Sequence, residues 1–399
     1  MKKIELLAPA GNLEKLKFAF MYGADACYIG GRDFSLRANA KNFSVMEMKE
    51  ACEYAHSLGK KVYVTVNIVF HNDDVKDLTN YLRELAKIKV DAIIVSDPFV
   101  IDVINENNID LKVHISTQAS TLNYETVMFW KSLGVERVVL ARELSKEEIK
   151  DIIDKTGMEI ESFVHGAMCS SYSGRCVLSN YFTNRDANRG GCAQICRWEF
   201  PLYDSDMNII DSPTKFTASS KDLMMATRIS ELIETGITSL KVEGRMRSNY
   251  YVATVINTYR NMIDDYYDNV LTSDKMEHYI NVLERVANRE ATLQFWDKLP
   301  SVNEQYYLGR NEVSNQDFLG IVTDYDDVTK MVTITERNYF KTGDEVEIFG
   351  PNIDTFSFVM PDIYDEEGNK VNVARHPEEI LKFRLDKKVY KNDIIRVKF

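Results

Sequence analysis

Residues 57–70 read SLGKKVYVTVNIVF and residues 91–98 read DAIIVSDP. Gly59 stands where a helix end needs a left-handed cap, and the Val, Ile and Tyr run that follows has the composition of a buried strand. The second stretch repeats the strand after one intervening amphipathic segment. Strand, helix and strand in that order make a parallel unit, so the fold depends on how often the unit recurs.

Six further apolar runs complete a series of eight: IELLAPAG (4–11), DACYIGG (25–31), LKVHIST (111–117), RVVLARE (137–143), EIESFVHG (159–166) and SLKVEGR (239–245). Helical patterns lie between them. Leu13, Leu16, Ala19 and Phe20 mark one face of the first, with Asn12 as its N-cap. Ser44 with Glu47, and Ser145 with Glu148, read as capping boxes, in which serine and glutamate satisfy each other's free backbone donors. Gly134, Gly157 and Gly236 repeat the helix-ending position of Gly59. Eight strand–helix units in about 270 residues predict a (β/α)8 TIM-like barrel, whose usual size is about 250 residues. A doubly wound open sheet is the alternative.

From Phe318 the texture changes to short strands separated by turn signals: FLGIVTDY, MVTITE, EVEIFG, FSFVM, KVNVA and IIRVKF. They predict a small antiparallel β-barrel that recognises or supports rather than catalyses. The expected organisation is a catalytic barrel over residues 1–300, with a four-cysteine insertion at 165–200, and a C-terminal β-barrel domain over 315–399, the boundary falling near 315.

Composition excludes several classes of function. Glu5 and Pro9 interrupt the opening MKKIELLAPAG before it reaches the apolar length of a signal peptide, and no apolar stretch approaches the roughly 18 residues of a membrane span. A cytoplasmic protein without membrane contact is expected, with its thiols reduced rather than paired. The net charge of −12 argues against a broad nucleic-acid-binding surface and leaves room for a local basic pocket.

In a barrel, chemistry sits at the C-terminal ends of the strands. Asn67, Asp97, His114, Ser116, Gln118, Arg142, Glu143, Glu161, His165, Lys241, Glu243 and Arg245 crowd those positions. Glu161, His165 and Glu243 are the acid–base candidates; Arg142, Lys241 and Arg245 are candidates for a small anion site. Salt bridges and loop hydrogen bonds at the barrel rim are the competing reading for each residue singly. Cys27 and Cys52 are isolated and read as small buried apolar residues. Cys169, Cys176, Cys192 and Cys196 fall within 28 residues, spaced C-x6-C-x15-C-x3-C. Zinc sites usually pair their cysteines at short spacing, which only Cys192 and Cys196 approach; a [4Fe–4S] cluster tolerates wide gaps. Spacing alone leaves zinc and iron–sulfur open. A nucleophilic thiol paired with His165 is a third reading.

Glu161, Phe163, Gly166, Ala167, Met168, Cys169, Gly174, Cys176, Leu178 and Ser179 together resemble the signature of the collagenase-like peptidase family U32. LLAPAGNLEKLKFAFMYGADACYIGG near the start, NRGGCAQICRWEF (188–200), SSKDL (219–223) and SLKVEGRMRS (239–248) extend the likeness along the barrel, and the tail resembles the family's C-terminal domain. The cysteine pair before Arg197 and Trp198 is similar to the branch of tRNA hydroxylation proteins. That resemblance implies an enzyme that forms 5-hydroxyuridine at the wobble position of the tRNA anticodon loop, linked to prephenate as a small co-substrate, with a paralogous family partner. It also implies an iron–sulfur cluster on Cys169, Cys176, Cys192 and Cys196. Some relatives draw a ligand from a cysteine just after KDL; here Met224 and Met225 stand there, which leaves Cys196 as the fourth ligand. The family name keeps a peptidase as the alternative, although no G-x-S-x-G elbow or H-E-x-x-H helix is present.

Between Cys169 and Trp198 the segment carries Arg175, Arg185, Arg189 and Arg197 against a single acid, Asp186. Arginines beside Tyr172, Tyr181, Phe182 and Trp198 can pair phosphates and stack unpaired bases, which makes Arg175 and Arg197 substrate-binding candidates. Balancing the negative charge of thiolates is the competing reading.

Overall fold

A computed structural model describes residues 3–36, 42–211, 215–287, 289–306 and 316–398. Eight parallel strands close into a barrel: β1 (Glu5–Pro9), β2 (Ala26–Gly30), β3 (Lys61–Val66), β4 (Ala92–Val95), β5 (Val113–Ile115), β6 (Arg137–Val139), β7 (Glu159–Gly166) and, after a long excursion, β9 (Ser239–Val242). Each pairs in parallel with the next, and β9 closes the ring by pairing with both β7 and β1. These are the eight strands expected from sequence. Within the excursion, β8 (Asp222–Met224) runs antiparallel to the end of β7 and sets Met224 opposite His165. A two-residue strand, β10 (Ala291–Thr292), pairs with β8. Runs this short carry no readable periodicity, and the sequence did not signal them.

The helices α1 (Leu13–Met21), α2 (Val45–Ser57), α3 (Val75–Lys87), α4 (Pro98–Glu106), α5 (Tyr124–Ser132) and α6 (Lys146–Thr156) follow the first six strands. Their punctuation is as read. Asn12 caps α1, the Ser44–Glu47 and Ser145–Glu148 boxes are both formed, and Gly59, Gly134, Gly157 and Gly236 all have positive φ. The short α7 (Leu178–Thr183) and α8 (Ile229–Thr235) lie in the excursion, and α9 (Asn249–Tyr267) and α10 (Ser273–Val286) follow the barrel's last strand. The main core lies between strands and helices, with Leu6, Ala8, Val62, Val64, Ile93 and Val95 facing outward. Leu7, Ala26, Tyr28, Tyr63, Ala92 and Ile94 form a smaller cluster inside the ring. No described helix is long and apolar enough to cross a membrane.

The tail is an antiparallel β domain with its own core. In its eight-stranded sheet the edge strand Ile353–Val359 stands five steps from Ile380–Arg384, about 24 Å if the sheet were flat at about 4.8 Å per step. The rings of Phe358 and Phe383 are nevertheless stacked at 5.9 Å. The sheet is therefore rolled, as a small barrel requires. The expected boundary near residue 315 lies outside the described residues.

Candidate functional site

A cavity of about 480 Å³ opens at the C-terminal end of the barrel, lined from below by strand ends and roofed by the four-cysteine segment. The roof has little regular structure, yet it is pinned at several points. The Glu143 carboxylate accepts from the backbone N–H and hydroxyl of Ser173 at 2.6 and 2.5 Å. Arg175 donates to the Gln118 carbonyl at 2.6 Å. Arg189 grips Asp74, just before α3, with both terminal nitrogens and also donates to the Val69 carbonyl. Asn188 bridges to the backbone of Cys176 in both directions. Three strand ends thus hold one irregular segment over the barrel mouth.

All four cysteines of that segment are free thiols and all four line the cavity, whereas Cys27 and Cys52 are buried elsewhere in the core. Two of the sulfurs already accept backbone N–H groups, Cys169 from Ser171 and Cys176 from Leu178, each at 3.4 Å. Such bonds stabilise thiolates and tune bound clusters. Cys169 is pushed above its ordinary range by burial, with the neighbouring Cys196 and Cys176 adding to the rise while the Ser171 N–H and Arg142 oppose it. Among the described residues no three His, Cys, Asp or Glu side chains are placed to hold a single metal ion. Four thiols spread around one cavity, two with N–H donors, fit the donor set of a cluster.

The charged side chains of the lining are nearly all cationic. Arg142, Arg197, Lys241, Arg245, Arg247 and Arg289 face the cavity, and Glu243 is the one carboxylate among its described lining residues. Arg142 lies over the Phe163 ring at 3.9 Å and donates to the Ala167 carbonyl at 3.0 Å; its buried Nε has no partner among the described residues. Lys241 sits 4.5 Å above the Tyr28 ring and pairs with Glu161 at 2.7 Å. Arg245 donates to the hydroxyls of Ser35 and Thr65, each at 3.1 Å, and to the Leu36 carbonyl. Glu243 accepts from the Tyr28 hydroxyl at 2.9 Å. Its backbone is fixed by Gly166, where a β-carbon would lie 2.5 Å from the Glu243 carbonyl oxygen at a φ of +108°.

Several of the residues read as strand tips sit elsewhere. Glu161 is the third residue of an eight-residue strand, fully buried inside the ring, and its carboxylate is shared by Lys241 and Arg137. Arg137 also binds Glu5 and Glu159, which extends the ion network toward the opposite end of the barrel. His114 is buried beside Tyr63, and burial together with Arg137 and Lys241 drives its imidazole well below the usual range. A register shift between Phe163 and His165 in the β7–β9 pairing puts Phe163 in the cavity and His165 against Tyr251 and Tyr259 of α9. Burial there pushes His165 down to about 3. Neither histidine opens on the cavity. Asp97 caps α4, and Glu143 and Arg175 hold the roof, whereas Asn67, Ser116 and Gln118 do line the cavity. The sequence reading missed Tyr28, Arg247 and Arg289. Arg247 could have been found, two residues beyond Arg245; Arg289 lies past α10, far in sequence from the end of any barrel strand.

The described aromatics of the roof face solvent. Tyr172 is 54% exposed, Tyr181 84%, Phe182 53% and Trp198 44%, values that core residues would not show.

A family model described as Peptidase family U32 matches residues 11–306, and one for the Peptidase family U32 C-terminal domain matches residues 314–396. The chain is 48% identical over 400 residues to tRNA hydroxylation protein P1 of Bacillus subtilis, covering 99% of this chain and 95% of that protein. It is 37% identical to the 23S rRNA 5-hydroxycytidine C2501 synthase of Escherichia coli, over 66% of this chain and 39% of the relative. It is 33% identical to a collagenase of Porphyromonas gingivalis, over 77% and 74%.

Proposed function

The chain belongs to peptidase family U32, and from that membership and the chemistry of its cavity we propose that it hydroxylates RNA, converting the wobble uridine of a tRNA anticodon loop to 5-hydroxyuridine. The observation that carries the reading is the convergence of four free thiols and six cationic side chains on one cavity under a roof segment whose aromatics are exposed. Exposed aromatics suit unstacked loop bases. The cationic lining suits phosphate and a small carboxylic acid, for which prephenate, with two carboxylates, is the proposed co-substrate. Cys169, Cys176, Cys192 and Cys196 would hold a [4Fe–4S] cluster, which supplies one-electron chemistry when bound. The remaining residues divide the other tasks. Arg142 presents guanidinium edges to an acid, Lys241 holds positive charge at the floor through Glu161, and Glu243 with Tyr28 is the proton-handling pair nearest the space.

The collagenase relative keeps proteolysis as the second reading, with zinc or a thiol at the same place. Against it stand two buried histidines outside the cavity, so the described site offers no imidazole to activate a thiol or water. Nucleoside mass spectrometry of tRNA from a deletion strain tests the proposal. The 5-hydroxyuridine family of nucleosides should disappear and return with the wild-type gene but not with Cys192→Ser. An unchanged nucleoside profile would overturn it. Anaerobically purified protein should contain iron and sulfide, and Cys192→Ser, unlike Cys52→Ser, should bleach its visible absorbance; stoichiometric zinc without sulfide would refute the cluster.

A further inference from the structure

Arg245 and Arg247 leave the end of β9 in opposite directions. Arg245 crosses to Ser35 and Thr65, beside β2 and β3, whereas Arg247 turns toward Asp222 at the start of β8. There it meets Arg289. The Arg289 side chain is 2% exposed and its Nη2 donates to Asp222 at 2.9 Å; its Nη1 is buried and has no partner among the described residues. Arg247 approaches the same carboxylate at 3.6 Å, lies 5.0 Å over the Tyr251 ring, and keeps 26% of its side chain exposed. One buried carboxylate therefore serves two guanidinium groups, both lining the cavity.

A buried guanidinium with an idle N–H is costly, and an oxyanion with acceptor oxygens to spare removes the cost through its match to the guanidinium fork. A carboxylate or a phosphate would serve. The position favours phosphate on a polymer: Arg247 reaches solvent at the rim, and Arg197, whose charge also acts on Asp222, precedes the exposed Trp198 that packs edge-on against Phe182. Of the two guanidinium groups, Arg247 at 26% exposed is the one that an entering chain meets before Arg289 at 2%.

We propose that Arg247 and Arg289, fixed by Asp222, form a phosphate seat for the RNA substrate, separate from the Arg142, Lys241 and Arg245 group, so that the cavity takes an RNA phosphate and a small acid together. The proposal rests on the RNA-hydroxylation reading. Its test is equilibrium binding of a uridine-containing RNA stem-loop to the full chain, followed by fluorescence anisotropy over a salt series. Arg289→Met should weaken binding about tenfold and flatten the log–log salt dependence by about 0.7, the share of one phosphate contact on a single strand. With wild-type protein, a neutral methylphosphonate at one loop position should give the same loss, a measurement that needs no variant to fold; in folded Arg289→Met that substitution should cost nothing further. Wild-type binding that is insensitive both to every single methylphosphonate and to Arg289→Met would overturn the seat and leave the RNA reading standing. Intact RNA binding with loss of dicarboxylate binding in Arg289→Met would assign the seat to the small acid instead and refute the proposal. No RNA binding by the wild type would sink the RNA reading itself, and the seat with it.

Discussion

At the level of single residues, Glu161 shows why chemistry was hard to place from sequence. A glutamate in an apolar strand reads equally as a tip residue or as a member of a buried ion network; the length of β7 and its pairing with β9 decide between them, and neither is local information. Lys241 and Arg137 share the Glu161 carboxylate in the barrel interior, so Glu161→Gln takes from the buried Lys241 its carboxylate partner, while Arg137 keeps Glu5 and Glu159. The expected cost is about 3–5 kcal/mol of stability in urea unfolding; a loss below about 1 kcal/mol would mean that the network contributes little. His165 makes a pH prediction. Its folded pKa, about 3, lies below its ordinary value of 6.5, so the folded state refuses a proton that the unfolded chain accepts. The stability from keeping it neutral is complete above pH 6.5 and is lost as pH falls from 6.5 toward 3, at up to about 1.4 kcal/mol per pH unit. His114 acts in the same sense, and Asp393, raised to about 6 by burial, in the opposite one. The informative quantity is therefore the difference between wild type and His165→Gln: the variant should show a shallower decline in stability between pH 6.5 and 4.5, and parallel curves would contradict the buried neutral imidazole.

At the level of elements, legibility followed local chemistry. Helix caps and glycine stops were readable because each is a contact between residues three or four apart, as in the Ser44–Glu47 box. The barrel strands were readable by composition and rhythm. The roof was not, since its order comes from contacts distant in sequence, such as Arg189 with Asp74, 115 residues apart. Of the segment's four arginines, the substrate-binding candidate Arg175 and its neighbour Arg189 hold the roof in place, so an excess of charge in a segment did not by itself mean charge offered to a ligand. The salt bridge draws Asp74 down to about 2, and its bidentate geometry suits a clamp. Arg189→Met should release the roof from α3, with faster amide exchange across residues 170–198 and a thermal midpoint lowered by only a few degrees, because the barrel core does not involve this contact. Unchanged exchange in the segment would show that the other anchors suffice.

At the level of the whole molecule, the tail is tied to the barrel more closely than a recognition module would need. Its core residues Ile321, Phe349 and Ile394 belong to the barrel's hydrophobic cluster. Tyr22, the C-cap of α1, meets Phe349 edge-on at 5.7 Å and donates to the Asn392 carbonyl at 2.7 Å; Tyr250 of α9 stacks on Phe318 at 4.8 Å; and Arg285 of α10 pairs with Asp317 at 2.7 Å. Nothing local in the chain signals this contact, since an aromatic residue bound for an interface looks like one bound for a core. With 17 acidic and 12 basic residues over 315–399, the tail is also a poor general RNA binder. Deleting it would expose Tyr22, Tyr250 and the apolar face around them, and the truncated barrel should lose thermal stability and aggregate before any change in RNA binding could be read. Truncation therefore cannot separate recognition from support, but Phe349→Ala can. By removing one ring from the shared cluster it should cost about 3–5 kcal/mol while leaving the cavity residues untouched. If support is the tail's task, RNA affinity measured well below the new thermal midpoint stays at the wild-type value. Weaker binding by a fully folded Phe349→Ala protein would instead give the tail a part in holding the RNA.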